Sequence, residues 1–289
     1  MDIIPELQES INKADVLIEA LKYIKQFYGK TIVVKYGGNA MIDENLKEKV
    51  ILDIVLMKYV GMNPVVVHGG GPEITEVMEK MGKKSVFVKG LRVTDAETME
   101  IVEMVLGRIN KGLVALINQH GAKAVGLSGK DANLISATKC VSDVDIGFVG
   151  DVSEIDPTII NVLDKEGFIP IISSIGVCDG QTFNINADLV AGEIAGALRA
   201  EKLIMLTDVR GIMRDPKDSS SLISTIRLSE IDSLKKDNII VGGMLPKVDA
   251  CVIALKKGVK KTHIIDGRIS HSLLLEIFTD SGIGTQIII

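Results

Sequence analysis

The sequence predicts an α/β fold: a three-layer α/β/α sandwich with an open, mainly parallel central sheet and one additional helix ahead of it. Three observations carry that expectation. Short β-branched runs recur along the chain, they are apolar throughout rather than alternating, and amphipathic stretches of helical period separate them. Continuous apolar strands alternating with helices mark a parallel sheet covered on both faces.

The elements follow in chain order. Between residues 5 and 28, apolar residues fall at 7, 11, 18, 21, 24 and 28 on one stripe and at 16, 20, 23 and 27 on its flank. Pro5 suits a first helical turn and Gly29 the residue after a helix. Such a helix runs about 36 Å at 1.5 Å per residue. Its apolar face is wider than one packing seam requires, so it either lies along its own body or packs against another subunit as well. "TIVVK" (31–35) is the first core strand, followed by a helix over 44–61. "NPVVVH" (63–68) is the second, and Pro72 opens a helix over 72–81. The alternating stretches 85–94, 134–155 and 174–184, with their Gly or Asp turns, read as hairpins decorating one end of the sheet. "AKAVGL" (122–127), "FIPIIS" (168–173), "KLIMLT" (202–207) and "THIID" (262–266) complete the strands. Further helices are expected over 95–119, 186–199 and 246–258, and "RDPKDSSSLIST" (214–225) marks a loop or lobe boundary.

A chain of 289 residues accommodates one large α/β domain or two lobes sharing a sheet. Hydrophobic content of 46% with 25% charged residues is that of a soluble globular protein. A net charge of −5 and the lack of a basic, aromatic run argue against a nucleic-acid partner. No run approaches the ~18 apolar residues of a membrane span, and no basic-then-apolar leader opens the chain; a cytoplasmic location is expected. Cys140, Cys178 and Cys251 form no CxxC pair and read as reduced thiols rather than a metal or redox site.

The chemistry concentrates where strands end. "VVKYGGNA" (33–40) closes a core strand with Lys35, Gly37 and Gly38, and "HGGGPEI" (68–74) follows the next strand with Gly69, Gly70 and Gly71. Glycine lets backbone N–H groups approach an anion, and a helix start favours one. In an open parallel sheet both loops face one crevice beyond the carboxyl ends of the strands. Neither GxxxxGK[ST] nor GxGxxG is present. If the crevice serves phosphoryl transfer, its charge neutralisation comes from something other than a P-loop, and the candidates are Lys35 and Lys247, the latter in "GGMLPKV" (242–248).

"VVKYGGNAM", "VVVHGGGPEI", "GLRVTDAETMEIVEMVL", "FNINADLVAGEIA", "LTDVRGI" and "GGMLPKV" together resemble the motifs of the N-acetylglutamate kinases, within the amino-acid kinase family. The resemblance runs in order from residue 30 over essentially the whole remaining chain. It implies phosphorylation of the side-chain carboxylate of N-acetyl-L-glutamate by MgATP, an early step of arginine synthesis. By the same resemblance, Lys35 and Lys247 are the transition-state lysines and Asp188 the carboxylate that orients both. Gly37, Gly38 and Gly69 supply backbone N–H groups to phosphoryl oxygens. Arg92 grips the substrate α-carboxylate beside Asn184, and Gly70 and Gly71 line the same site. Thr207, Asp208, Val209 and Gly211 border the nucleotide, and Mg²⁺ is held mainly by the phosphates and water, with no metal ligands assigned to the protein. His68 takes a structural role, because a carboxylate nucleophile is already ionised and needs no base.

The long first helix and the ending "HIIDGRISHSLLLEIFTDSGIGTQI" are similar to the arginine-inhibited branch of these kinases, a homohexamer arranged as a trimer of dimers. Tyr23, His263, Glu276 and Gly282 fall at its arginine site. Whether a nitrogen-signalling PII protein binds is not legible in the residues. The expected division is residues 1–29 for oligomerisation, 30–200 for substrate, and 201–289 for ATP and arginine. Other classes stand beside this reading. One is a sibling kinase for another carboxylate or phosphate. Another is a non-catalytic arginine sensor, which would be free to lose Lys35, Asp188 or Lys247, all of them present. A nicotinamide-dependent oxidoreductase on a similar sheet lacks its GxGxxG.

Overall fold

The computed structural model describes residues 5–38, 41 and 43–289; Asn39 and Ala40, which close the first glycine stretch, lie outside them. The chain opens with α1 (Pro5–Phe27), β1 (Thr31–Tyr36), α2 (Glu44–Tyr59), β2 (Asn63–His68) and α3 (Gly71–Lys80). A hairpin of β3 (Phe87–Val88) and β4 (Leu91–Arg92) leads into α4 (Ala96–Gln119) and β5 (Lys123–Leu127). Next come β6 (Ile135–Lys139), β7 (Val149–Ile155), α5 (Thr158–Lys165) and β8 (Phe168–Ser173). They are followed by β9 (Ile175–Cys178), β10 (Gln181–Ile185), α6 (Ala187–Ala197) and β11 (Lys202–Thr207). The last elements are β12 (Thr225–Arg227), α7 (Ile231–Lys236), α8 (Met244–Lys256), β13 (Lys261–Asp266), α9 (Ser272–Ile277) and β14 (Thr285–Ile288).

Eight strands form the main sheet in the order β12-β14-β13-β11-β1-β2-β8-β5. From β13 to β5 every pairing is parallel, and β14 runs antiparallel to β13. The apolar runs are continuous because both faces are covered. Val33, Val65 and Leu203 join one core with α6 and α8, while Ile32, Val34 and Ile204 join another with α2 and α4. Full burial of each such side chain contributes about 1.5–3 kcal/mol. The expected α/β/α sandwich is the observed one.

The strands β6, β7, β9 and β10 do form hairpins, and these then close on each other into a small barrel. Two parallel pairings close it, β6 with β9 and β10 with β7, the latter bringing Asn184 opposite Val149. Hairpin signals are local, so that closure had no sequence signature. The short α5, α7 and α9 and the strands β12 and β14 were likewise unmarked, because one or two turns show no period. Only the end of α1 is seated on its own body. Tyr23 and Phe27 are buried, whereas Val16, Leu17 and Ile18 are 64–71% exposed. No helix among the described residues is long and apolar enough to cross a membrane.

Candidate active site

β1 and β2 are parallel neighbours with Lys35 opposite Val67 and Tyr36 opposite His68. Both glycine loops therefore leave the sheet at the same edge, as the motifs predict. They line a cleft of about 250 Å³ together with Arg92, Asn184 and Asp188.

Three local features bring the charged groups together. Asn186 caps α6, its side chain accepting from the Asp188 and Leu189 N–H groups, which fixes the first turn and hence Asp188. Gly192 then lets α6 and α8 approach closely, since a Cβ there would stand 2.5 Å from the Ala250 carbonyl oxygen. One turn back along each helix sit Asp188 and Lys247, and Lys247 Nζ donates to Asp188 Oδ2 at 2.8 Å. From the sheet side, Lys35 Nζ reaches Asp188 Oδ1 at 2.9 Å. Burial pushes the Asp188 carboxyl up, but Lys35 and Lys247 outweigh it and hold it below its ordinary value. Two cations thus share the one Asp188 carboxylate.

The glycines are explained by the same contacts. A Cβ on Gly37 would stand 2.5 Å from Lys35 Nζ and push the ammonium off Asp188. Gly38 has φ +73°, and a Cβ there would meet Asp208 Oδ1 at 2.4 Å.

Arg92 sits at the end of β4, buried, its guanidinium over the Phe87 ring. It donates to the Gly71 carbonyl and the Thr75 hydroxyl, both at 2.8 Å, and to the Ser85 hydroxyl at 2.6 Å. None of these partners is anionic, and burial lowers its pKa. Asn184 donates to the Thr94 hydroxyl at 3.2 Å on the same wall. The turn after β11 stands beside β1 at this edge. There the Thr207 hydroxyl donates to backbone carbonyls and accepts from the Val209 N–H, Val209 is exposed, and Gly211 packs on Thr285.

A second cavity, of about 240 Å³, lies beside α1 and brings together Tyr23, His263, Glu276 and Gly282. His263 Nδ1 is 2.6 Å from Glu276 Oε1, and the Ile283 N–H donates to Glu276 Oε2. Tyr23 donates its hydroxyl to Asp280 at 2.8 Å. Asp280, within the quoted C-terminal ending, and Lys202, the first residue of β11, line this cavity too; neither is singled out by the sequence alone. Asn186 was missed in the first site, although an Asn two residues before a helical acid is an N-cap signal.

A cleft of paired lysines and bare backbone at the carboxyl edge of a parallel sheet defines a phosphoryl-transfer enzyme without a P-loop. The chain belongs to the Amino acid kinase family, whose sequence profile matches residues 30–266. A protein named acetylglutamate kinase from Pelotomaculum thermopropionicum is 60% identical over 95% of this chain and 97% of its own length. Among solved structures, N-acetylglutamate synthase from Neisseria gonorrhoeae, complexed with coenzyme A and N-acetyl-glutamate, superposes with a TM-score of 0.85 at 27% identity. The match covers 96% of this chain, which spans only 63% of that one. The same synthase complexed with coenzyme A and L-arginine gives a TM-score of 0.83 at 28% identity, over 95% of this chain and 65% of that one.

Proposed function

We propose that this protein transfers the γ-phosphoryl group of ATP to the side-chain carboxylate of N-acetyl-L-glutamate, in the cytoplasm, as a step of arginine biosynthesis. The observation that carries the reading is the convergence of Lys35 and Lys247 on buried Asp188 beside two glycine loops, in a chain 60% identical to a protein named acetylglutamate kinase.

The chemistry follows from charge. A carboxylate oxygen attacks the γ-phosphorus, an O–P bond forms, and the bond to the β,γ-bridging oxygen breaks with its electron pair leaving on ADP. The main obstacle is anion meeting anion, so catalysis consists of positioning and charge stabilisation. Lys35 neutralises the phosphoryl group from the substrate side and Lys247 from the ATP side, while Asp188 holds both. Backbone N–H groups of Gly37, Gly38 and Gly69 donate to phosphoryl oxygens. Arg92, with no anionic partner of its own, takes the substrate α-carboxylate as a planar donor, with Asn184, Gly70 and Gly71 around it. Asp208 and Val209 border the nucleotide, with Thr207 and Gly211 shaping their turn. No group of three or more His, Cys, Asp or Glu side chains among the described residues is arranged to hold a metal. Mg²⁺ fits as an ion carried by the phosphates, where it neutralises charge on them. Residues 30–200 serve the substrate and 201–289 the nucleotide.

An ATP-dependent hydroxamate assay with N-acetylglutamate and with glutamate tests this. Acyl phosphate is expected only from the acetylated substrate; none from either sinks the reading.

The second cavity fits arginine as an inhibitor. Glu276, Asp280 and Glu201 stand there with Lys202, Lys260 and Lys261, a mixed-charge lining that suits an amino acid carrying both a carboxylate and a cationic side chain. The exposed apolar residues of α1 suit a homohexamer built through that helix. Light scattering on the full chain and on one lacking residues 1–26 checks the assembly, and a shortened chain of unchanged size refutes it.

A further inference from the structure

Behind the second glycine loop, His68 ends β2 with its side chain fully buried. Its neighbours fix its tautomer. Asn110 Nδ2, on α4, lies 2.9 Å from the Ile171 carbonyl oxygen and 3.3 Å from that of Leu127, so that atom is the amide NH₂. The same NH₂ lies 3.1 Å from His68 Nε2. An NH₂ group only donates, so Nε2 accepts and the ring proton sits on Nδ1. Nδ1 is 3.0 Å from the Gly69 carbonyl oxygen and donates to it.

That bond sets a direction. The chain contains no cis peptide among its described residues, and in a trans peptide C=O and N–H point opposite ways. With the Gly69 carbonyl turned back to His68, the Gly70 N–H faces away from it, and Gly70 lines the cleft with Lys35 and Asp188. No group among the described residues accepts that N–H. An independent observation concerns Asn110. In β5, a Cβ on Gly126 would stand 1.7 Å from Asn110 Oδ1. Glycine weakens a strand interior, yet the strand keeps one where this amide needs the room.

We propose that His68 and Asn110 are positioning residues for phosphoryl transfer: the Asn110–His68–Gly69 chain of hydrogen bonds aims the Gly70 N–H at the reacting oxygens in the cleft. This rests on the carboxylate-phosphorylation reading above. Neither side chain touches substrate; both act through one peptide plane.

Two substitutions separate positioning from packing. The amide of Asn overlays imidazole Nδ1 and can still donate to the Gly69 carbonyl, whereas the amide of Gln overlays Nε2 and cannot. His68→Gln is expected to lower kcat at least about tenfold, since small misplacements at a reacting centre are costly. His68→Asn should retain kcat within about threefold, with the KM for ATP little changed in both. Equal kcat in the two variants overturns the proposal. A readout independent of substrate and of variant folding is the ¹⁵N NMR signature of His68 in the wild-type protein. A neutral ring protonated on Nδ1 is expected from pH 8 down to pH 5, and protonation on Nε2 overturns the proposal. Because this signal needs no turnover, it stands or falls apart from the hydroxamate assay.

Discussion

The two cavities are similar in volume and differ in how they arrange charge. At the strand ends, Lys35 and Lys247 converge on one carboxylate, Asp188, in a cleft that Arg92 and Glu73 also line. Beside α1, charges of both signs are paired locally, Lys260 with Glu201 and Lys22 with Asp280, while His263 stands against Glu276. The first arrangement is the one the proposed reaction needs, where two anions must be held against each other. The second is the one a ligand of both signs would need. The difference also has a structural source. The first site is assembled from strand ends and helix starts, whose geometry the backbone fixes, while the second is walled by side chains from both ends of the chain.

The largest test of this contrast is at the lysines. Lys35→Ala and Lys247→Ala are each expected to lower kcat by about 10²–10³ with the fold intact, the cost of losing one transition-state contact. Near-normal turnover in either folded variant would break the cation-rich reading of the first cleft.

Each cavity also backs onto a buried histidine, and the two differ in partner. Burial lowers both, but at His263 the Glu276 carboxylate pulls the other way. His68 has only the Gly69 carbonyl to offset burial, and its pKa falls to about 4. Between pH 6.5 and 4 the unfolded chain therefore takes a proton on His68 that the folded chain refuses. The stability from neutral His68 is full above pH 6.5 and is lost as pH falls toward 4, by about 3 kcal/mol at 1.36 kcal/mol per unit. Urea denaturation of wild type and His68→Asn at pH 7 and 4.5 measures this. The gap between them should shift against wild type at the lower pH, and a pH-independent gap would contradict it.

Arg92→Lys keeps the charge and loses the planar donor. The KM for N-acetylglutamate should rise roughly 10- to 100-fold, about 1.4–2.8 kcal/mol, with the KM for ATP within about twofold. Equal weakening of both ligands indicates a general defect instead. The smallest effect is in the second cavity, where Glu276→Gln should raise the half-inhibiting arginine concentration about tenfold, the scale of one charge-assisted hydrogen bond. Unchanged inhibition would remove Glu276 from the site.

How much of this was legible depended on where the residues stand in the chain. Lys35 and the glycines could be read because each closes or follows a continuous β-branched apolar run that marks a buried strand. Lys247 needed only its glycine and proline punctuation. Asp188 and Arg92 were indistinguishable from surface residues until the family motifs gave them roles. The meeting of Asp188 with Lys247 depends on the close approach of α6 and α8 at Gly192, which no local pattern announces. Asn110 lies inside an ordinary amphipathic helix, and its space is made by a glycine in another element. The second cavity was found through resemblance alone, because its walls come from Tyr23, Lys202, His263 and Gly282, which share no local pattern.

The parallel register of β1 has a consequence for the order in which the protein acquires activity. On one side Lys35 pairs with Val67 in the adjoining strand, but on the other it pairs with Met205, far along the chain. Closing so long a loop is entropically unfavourable until the contacts it enables have formed, and pairings of this kind tend to come late in folding. Asp188 and Lys247 lie on either side of β11 in the chain, so the helices that carry them are joined through the strand that makes this pairing. A chain caught partway through folding thus holds its glycine loops and Lys35 without Met205 beside them, and the site is complete only with the finished sheet.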